Sequence, residues 1–430
     1  MNQATARQGA NKLVISSWCL YDWANSAFTT LVVTFVYATY FSQAFAENED
    51  VGTAMWSRGI VVSSVLIAVL SPILGAMADR GGARRKSLLV STLVCVGATA
   101  ALTFVTPGQG YKALLALSIF VVGNVAFEIG MVFYNSFLPT IAPAERIGRI
   151  SGYGWGLGYA GGLAALVAAL VGFVGLGGDP LLPLSQTDNF NVRATNLLVA
   201  GWFLIFSIPM LSFVRDVERV SARLELRAAF RTLAETVHKI RRFREILKFL
   251  LARLVYNDGL ITIFAFGGIY AAGTFRMAFE EVMIFGIAIN VAAGLGAVAF
   301  GFFDDKLGGK ATILVSIIAL AAFSLIAVTA SSKELFWVAG MGIGIFAGPN
   351  QAASRSLMGR FVPEKHQAEF FGFFAFSGKA TAFLGPLLLG TITQHWGQRA
   401  GVGSVLLFFL VGGIMLLAVN ERRGIEAARA

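Results

Sequence analysis

Cysteine and histidine are nearly missing from this chain, which removes most thiol and metal chemistry at the outset. Cys19 and Cys95 are the 2 cysteines among 430 residues. Both fall inside apolar runs on different segments, so neither a disulfide framework nor a thiolate cluster is expected. The 3 histidines, His238, His366 and His395, stand in or near loops, with no His-Glu-x-x-His run to hold zinc. No Gly-x4-Gly-Lys-Ser/Thr sequence is present to cradle the phosphates of a nucleotide. Charge is also scarce: Asp, Glu, Lys and Arg make up 13%, against about 25% in a soluble domain. The residues give enzyme chemistry no support, and no cofactor is expected.

Apolar residues fill the space. The chain is 56% hydrophobic, with 48 glycines and 37 phenylalanines, and its mean hydropathy of +0.71 puts it in the membrane class. With about 20 apolar residues per crossing as the measure, twelve spans are expected, at roughly 16–45, 57–78, 87–106, 112–138, 150–174, 195–214, 247–273, 280–303, 311–330, 334–358, 369–393 and 401–420. The first apolar run is far longer than a signal peptide and lacks a small-residue cleavage site, so it reads as a retained span. A net charge of +10 raises the question of nucleic acid, but its distribution answers it. Of the 34 Lys and Arg, only Arg58, Lys112, Arg193, Arg276, Lys333 and Arg399 fall on one side of the membrane, and Arg253, Arg355 and Lys379 lie within spans. The rest fall on the other side, which the positive-inside rule makes cytoplasmic, both termini included. The expected setting is therefore a multi-pass membrane protein, with the bilayer as partner and no nucleic acid; the compact loops and lack of a targeting tail suit a bacterial inner membrane.

The chain carries an internal duplication. Gly75-x3-Asp79-Arg80-x-Gly82 recurs as Gly301-x3-Asp305-Lys306-x-Gly308, 226 residues later, each copy between two apolar runs. Tyr21-Asp22-Trp23-Ala24-Asn25 in span 1 is matched by Tyr256-Asn257-Asp258-Gly259 in span 7. Pro143 up to Gly152, entering span 5, is matched by Pro363 up to Gly372, entering span 11. The expected architecture is an all-α membrane protein of two pseudo-symmetric six-helix bundles, residues 1–214 and 246–430. Between them, 215–245 reads as a basic amphipathic linker with Leu226, Phe230, Leu233, Val237 and Ile240 on one face, either lying on the inner leaflet or solvated. Span 5 carries Gly152, Gly154, Gly156, Gly158, Gly161 and Gly162, a spacing that lets another helix approach closely.

Charged groups at depth are costly and so are candidates for function. Asp22, Glu128, Arg253, Asp258, Arg355 and Lys379 stand inside spans, three acids and three bases that suggest pairing across a polar interior. Amides accompany them: Asn25 beside Asp22, Asn124 and Asn135 on one face with Glu128, Asn257 beside Asp258, and Asn350 and Gln351 about a turn from Arg355.

The paired Gly-x3-Asp loops are similar to the signature of the major facilitator superfamily, over nearly the whole chain. That resemblance implies twelve helices, alternating access, and a central cavity lined chiefly by spans 1, 4, 7 and 10, on which five of the six charges lie. It also implies gating roles for Gly75, Asp79, Arg80 and Gly82 and for Gly301, Asp305, Lys306 and Gly308, with Asp79 facing the start of span 11. The run Tyr21-Asp22-Trp23-Ala24-Asn25-Ser26-Ala27-Phe28, with Gly152 to Gly162, resembles the narrower vacuole-effluxer-like branch, whose fungal autophagy-related members export amino acids. A Gly-Pro in span 5, typical of antiporters, is absent, and Gly385-Pro386 occurs in span 11 instead. The Arg-Gly of span 4 in proton-linked members is also absent, with Glu128 the ionisable group there. The expected function is secondary-active transport of a small solute, first an amino acid, by a monomer coupled to an ion, a proton before sodium. A lipid or lysolipid flippase of the same fold, and a non-transporting membrane sensor or scaffold, are the alternatives.

Overall fold

The computed structural model describes residues 11–108, 111–175, 179–216 and 243–429. Among the described residues, nine helices are long and apolar enough to cross a membrane, or ten if Val405–Leu417 and Glu421–Arg429, bent by 58°, count as one span. Two further spans complete twelve. The tenth, Lys333–Phe361, carries Asn350, Gln351, Ser354, Arg355 and Ser356 in its second half, which lowers its apolar content. The first is interrupted: an α-helix Lys12–Ala27, a π-helical stretch Phe28–Phe35, and a last α-helix Tyr37–Ala44. Five β-branched residues, Thr29, Thr30, Val32, Val33 and Thr34, crowd those eight positions, and such residues lose side-chain freedom in a regular helix.

Span 2 is Glu49–Gly81, span 3 Arg84–Leu102 and span 4 Lys112–Ser136. Span 5 runs through Ile147–Ala169 into a π-helical end, Leu170–Val174, and span 6 is Thr195–Phe213. Spans 7, 8 and 9 are Arg244–Phe275, Phe279–Leu307 and Gly309–Thr329. Span 11 is broken into Gln367–Lys379 and Leu384–Gly403, and span 12 is Val405–Leu417. The crossing expected over 369–393 is one span, Glu364–Gly403, with a turn at 380–383 between its two helical parts. Pro386 is the cause: without an N–H it cannot bond the carbonyl of Ala382, and its ring crowds that carbonyl, so it is tolerated only in the first turn of a new helix.

The duplication is visible in the packing. In the first half, spans 1 and 5, 1 and 6, 2 and 4, 3 and 4, and 3 and 6 lie together; in the second, the equivalents 7 and 11, 7 and 12, 8 and 10, 9 and 10, and 9 and 12 do so. Between halves, spans 2 and 11 pack as 5 and 8 do, and spans 4 and 11 as 5 and 10 do. Glycine makes the closest of these contacts. A Cβ on Gly372 would sit 2.4 Å from the Ser71 carbonyl oxygen, and one on Gly152 would sit 2.4 Å from the Ala297 carbonyl oxygen, two backbone-to-backbone approaches related by the duplication. The same glycine row of span 5 lets span 1 in on its other side, with Gly161 against Trp23 and Gly162 against Thr30.

Carboxylates also recur at the ends of the halves. Asp216, just past span 6, accepts from the Arg85 N–H at 3.0 Å, at the start of span 3. Glu421, just past span 12, accepts from the Gly309 and Lys310 N–H groups at 2.9 and 3.0 Å, at the start of span 9. Each satisfies backbone donors that a helix N-terminus leaves free and meets its positive dipole end. The amphipathic linker over 215–245 lies almost wholly outside the described residues.

Candidate functional site

A cavity of about 1370 Å³ lies between the two halves. Its lining runs from Asp22, Asn135 and Arg355 out to Tyr40, Asn189 and Tyr270, at the end of the molecule remote from the chain termini. Toward the end carrying the termini it is closed, and the closure is built from charged groups.

The floor is one ion pair. Arg355 Nη1 on span 10 donates to Asp22 Oδ2 on span 1 at 2.9 Å, with both side chains buried. The guanidinium also donates to the Ser151 hydroxyl at 2.9 Å, to the Ser151 carbonyl at 2.7 Å and to Asn135 Oδ1 at 3.3 Å. It lies 4.7 Å from the Trp18 ring centroid, close enough for a cation–π contribution. Trp18 in turn stacks on Tyr134 with centroids 4.6 Å apart. One residue of the second half therefore holds spans 1, 4 and 5 of the first.

Higher in the cavity, Lys379 Nζ approaches Glu128 Oε1 at 2.6 Å, both groups partly open to the cavity. Lys379 is the last residue of the first half of span 11. Nearby, Arg253 donates to the Phe374 carbonyl at 2.7 Å and to the Ser377 hydroxyl at 2.8 Å, with its guanidinium 3.6 Å from the Phe374 ring centroid. Asn25, Asn257 and Gln351 also line the cavity.

Three candidates are corrected. Asn124, Asn350 and Asp258 do not line the cavity. Asn124 donates to the Ser63 hydroxyl at 2.8 Å, between spans 4 and 2. Asn350 donates to the Ser316 hydroxyl at 3.5 Å, between spans 10 and 9. Each amide finds a hydroxyl across a helix interface, which satisfies it away from water. Asp258 is buried between spans 7 and 11. The balance of three acids and three bases is accordingly two ion pairs, with Arg253 held by neutral acceptors and Asp258 in no salt bridge among the described residues.

The two loops give matching contacts. Asp79 Oδ2 accepts from the Glu369 N–H at 2.8 Å, at the start of span 11, while a Cβ on Gly75 would lie 2.3 Å from the Ala368 carbonyl oxygen. Asp305 Oδ1 accepts from the Gly148 N–H at 2.8 Å, at the start of span 5, and Asp305 pairs with Arg149; a Cβ on Gly301 would lie 2.7 Å from the Arg149 Cα. Gly82 and Gly308 end spans 2 and 8 with φ of 56° and 91°, a region open to glycine without strain. Arg80 and Lys306 are exposed.

Sequence reasoning missed several contributors. Arg84 donates to Gln367 Oε1 at 2.5 Å across the halves, and Asp304 binds Arg360 and Ser356 beside the second loop. Thr29, Thr30 and Thr34 of the π-helical stretch line the cavity, signalled only by their β-branched crowding.

The comparisons agree with this architecture. A family model described as "Vacuole effluxer Atg22 like" matches residues 52–429. The uncharacterized MFS-type transporter YxiO of Bacillus subtilis (strain 168) is 30% identical over 423 residues, covering 96% of each chain. Autophagy-related protein 22 of Coccidioides immitis (strain RS) is 23% identical, over 87% of this chain and 73% of the fungal one. Among solved structures, the proton:xylose symporter XylE, bound to 6-bromo-6-deoxy-D-glucose, superimposes with a TM-score of 0.73 at 13% identity, over 97% of this chain and 98% of its own. FucP in the outward conformation gives 0.69 at 12% identity, over 94% and 98%. Fold, duplicated loops and relatives converge: this chain belongs to the vacuole effluxer Atg22-like family of major facilitator superfamily transporters.

Proposed function

We propose that this protein is a secondary-active transporter that moves a small zwitterionic solute, first an amino acid, by rocking residues 1–214 against 246–430. The termini side is cytoplasmic in this reading and the cavity is open to the outside. It works as a monomer. The observation that carries the proposal is the Glu128–Lys379 pair, 2.6 Å apart. It joins the halves where both groups can still meet solute, with Arg253 close by. An amino acid offers the same two charges. Its ammonium competes for Glu128 and its carboxylate for Lys379, so a bound solute replaces the contact between halves by one through itself. Binding energy is thereby available to the rocking motion, because only a ligand that binds the two states differently can shift them.

The lack of a nucleotide-binding loop leaves a gradient as the energy source, and Glu128 is the acid placed to exchange a proton as its partner changes. Purified protein in liposomes tests this with labelled amino acids, with and without a pH gradient. Gradient-driven flux is expected in the wild type, with loss in Glu128→Gln and in the charge-swapped Glu128→Lys with Lys379→Glu. Full flux in the swapped variant would reduce the pair to a structural tie. Normal gradient-driven flux in Glu128→Gln would remove the coupling role.

A further inference from the structure

Asp258 is the acid that neither the cavity nor the ion pairs use. The residue is 2% exposed, and its Oδ1 is buried with no hydrogen-bond partner. It lies opposite the break in span 11, with the Thr381 hydroxyl beside its carboxylate. We propose that Asp258, Thr381 and the carbonyl end of the first half of span 11 form a site for a monovalent cation, a proton or Na+, behind the wall of the central cavity.

Chemistry and geometry support this independently. An ionised carboxylate buried with no cation is strongly disfavoured, so this group must hold a proton, hold a metal cation, or lie beside a basic side chain. No basic side chain is within salt-bridge reach of it among the described residues. Arg253, on the same helix, is taken by Phe374 and Ser377. Lys379 is taken by Glu128, and Arg355 by Asp22. Val405–Leu417 of span 12, packed against span 7, contains no titratable residue. Glu280 and Glu281 of span 8, His395 and Arg399 of span 11, and the charges of Glu421–Arg429 stand near the ends of the neighbouring helices.

The break itself adds oxygen. Helix Gln367–Lys379 ends at the site, with the Gly378 carbonyl accepting a long bond from Asn257 Nδ2 at 3.4 Å, and a helix C-terminus presents carbonyl oxygens with a second lone pair and the negative end of its dipole. Half-helix ends of this kind coordinate small cations in transporters. Thr262 donates its hydroxyl proton to the Asp258 main-chain oxygen at 2.7 Å, so its lone pairs remain available. Thr262 and Asn257 also line the cavity, which gives a cation a short route in. Gly385 keeps the helices close, since a Cβ there would lie 2.0 Å from the Thr262 hydroxyl oxygen.

Binding, and not transport, is the readout, so the test stands apart from the identity of the solute. Full-length protein in detergent is unfolded thermally at constant ionic strength in NaCl or choline chloride at pH 8, and again without sodium from pH 8.5 to 5.5. A saturable sodium-dependent rise in the unfolding temperature identifies Na+. A rise on acidification alone, with no sodium effect, identifies the proton. Asp258→Asn removes whichever response is present, and Glu280→Gln, at an exposed position at the start of span 8, keeps it. Thr381→Val, milder should Asp258→Asn fail to fold, weakens apparent sodium affinity by about tenfold, the worth of one hydrogen-bond-sized contact, or displaces the acid step. The proposal is overturned if the wild type shows neither response, if the response survives Asp258→Asn, or if Thr381→Val leaves it unmoved.

Discussion

Asp22→Asn is the most informative single change at the cavity floor. It keeps the size of the side chain and removes the charge that faces Arg355 at 2.9 Å. The guanidinium would keep its bonds to Ser151 and Asn135 but lose, in a buried place, the one carboxylate that pairs with it among the described residues. Removing one member of a buried pair costs about 3–5 kcal/mol, because the other charge stays buried and uncompensated. The hydrogen bonds that remain and the aromatic faces of Trp18, Tyr134 and Trp155 offset part of this, so about 2–3 kcal/mol is the reasonable expectation. A transporter can escape that cost without unfolding, by moving to a state in which Arg355 meets water. At about 1.4 kcal/mol per factor of ten, the closed floor should lose about 30- to 150-fold in population relative to the open one.

Spin labels at Arg80 and Lys306, exposed positions on opposite halves at the termini side, would read the change as a widened distance distribution. Asp22→Asn with Arg355→Met removes both charges and should recover part of the lost closure, since an apolar replacement of a buried pair is far cheaper than an orphaned charge. If Asp22→Asn leaves the distribution within about 0.5 kcal/mol of wild type, equivalent to little more than a twofold shift, the pair is not what closes this end.

Asp79→Asn should act in the same direction but more weakly, by about 1–2 kcal/mol, since it removes a charge placed against the first turn of span 11; transport should fall while equilibrium binding of solute persists, and loss of binding with an unchanged distance distribution would end the gating role. For orientation, an impermeant thiol reagent should label Lys112→Cys from outside, in intact cells, and Lys306→Cys from inside, in inverted membrane vesicles. The native Cys19 and Cys95 are buried and should contribute no background, and the reverse pattern would invert the topology.

The fold was legible because it is written twice. Hydropathy marks the crossings, and the Gly-x3-Asp loops with the Pro-to-Gly entries of spans 5 and 11 mark the two halves, down to the glycines that bring Ser71 and Ala297 against spans 11 and 5. The site was less legible, for reasons of rotation and of local breaks. Helical periodicity puts Asn124 on the same face as Glu128 and Asn135, yet it does not say where that face stops lining a cavity and starts touching span 2, so Ser63 claims the amide. Asn350 was misplaced in the same way. The break in span 11 did have a signal, Gly385-Pro386, which is more informative as a local instruction to the backbone than as a motif that family members carry elsewhere. The π-helical stretch of span 1 had one too, in its β-branched residues. Partner choice had none: nothing in the sequence separates Arg253, which binds neutral acceptors, from Lys379, which finds an acid.

Duplication followed by divergence explains how the charges are distributed. At the gates the two copies keep the same chemistry, an aspartate set against a helix N-terminus. In the cavity they do not. The repeat sets Asp22 against Asn257, Asn135 against Arg355 and Tyr159 against Lys379, so the acids facing the cavity, Asp22 and Glu128, belong to the first half, and the bases, Arg253, Arg355 and Lys379, to the second. Both ion pairs therefore run between halves. Both gate contacts stand at the termini side, at the ends of spans 2 and 8, so the two halves contribute comparable ties to the closure of that one end. An asymmetric cavity suits a solute with a charge at each end, because it gives that solute one orientation and makes the attraction between the halves depend on what lies between them. Asp258 is the exception, an acid in the basic half and behind the cavity wall. Its position separates the charge that would bind a cation from the charges that would bind the solute.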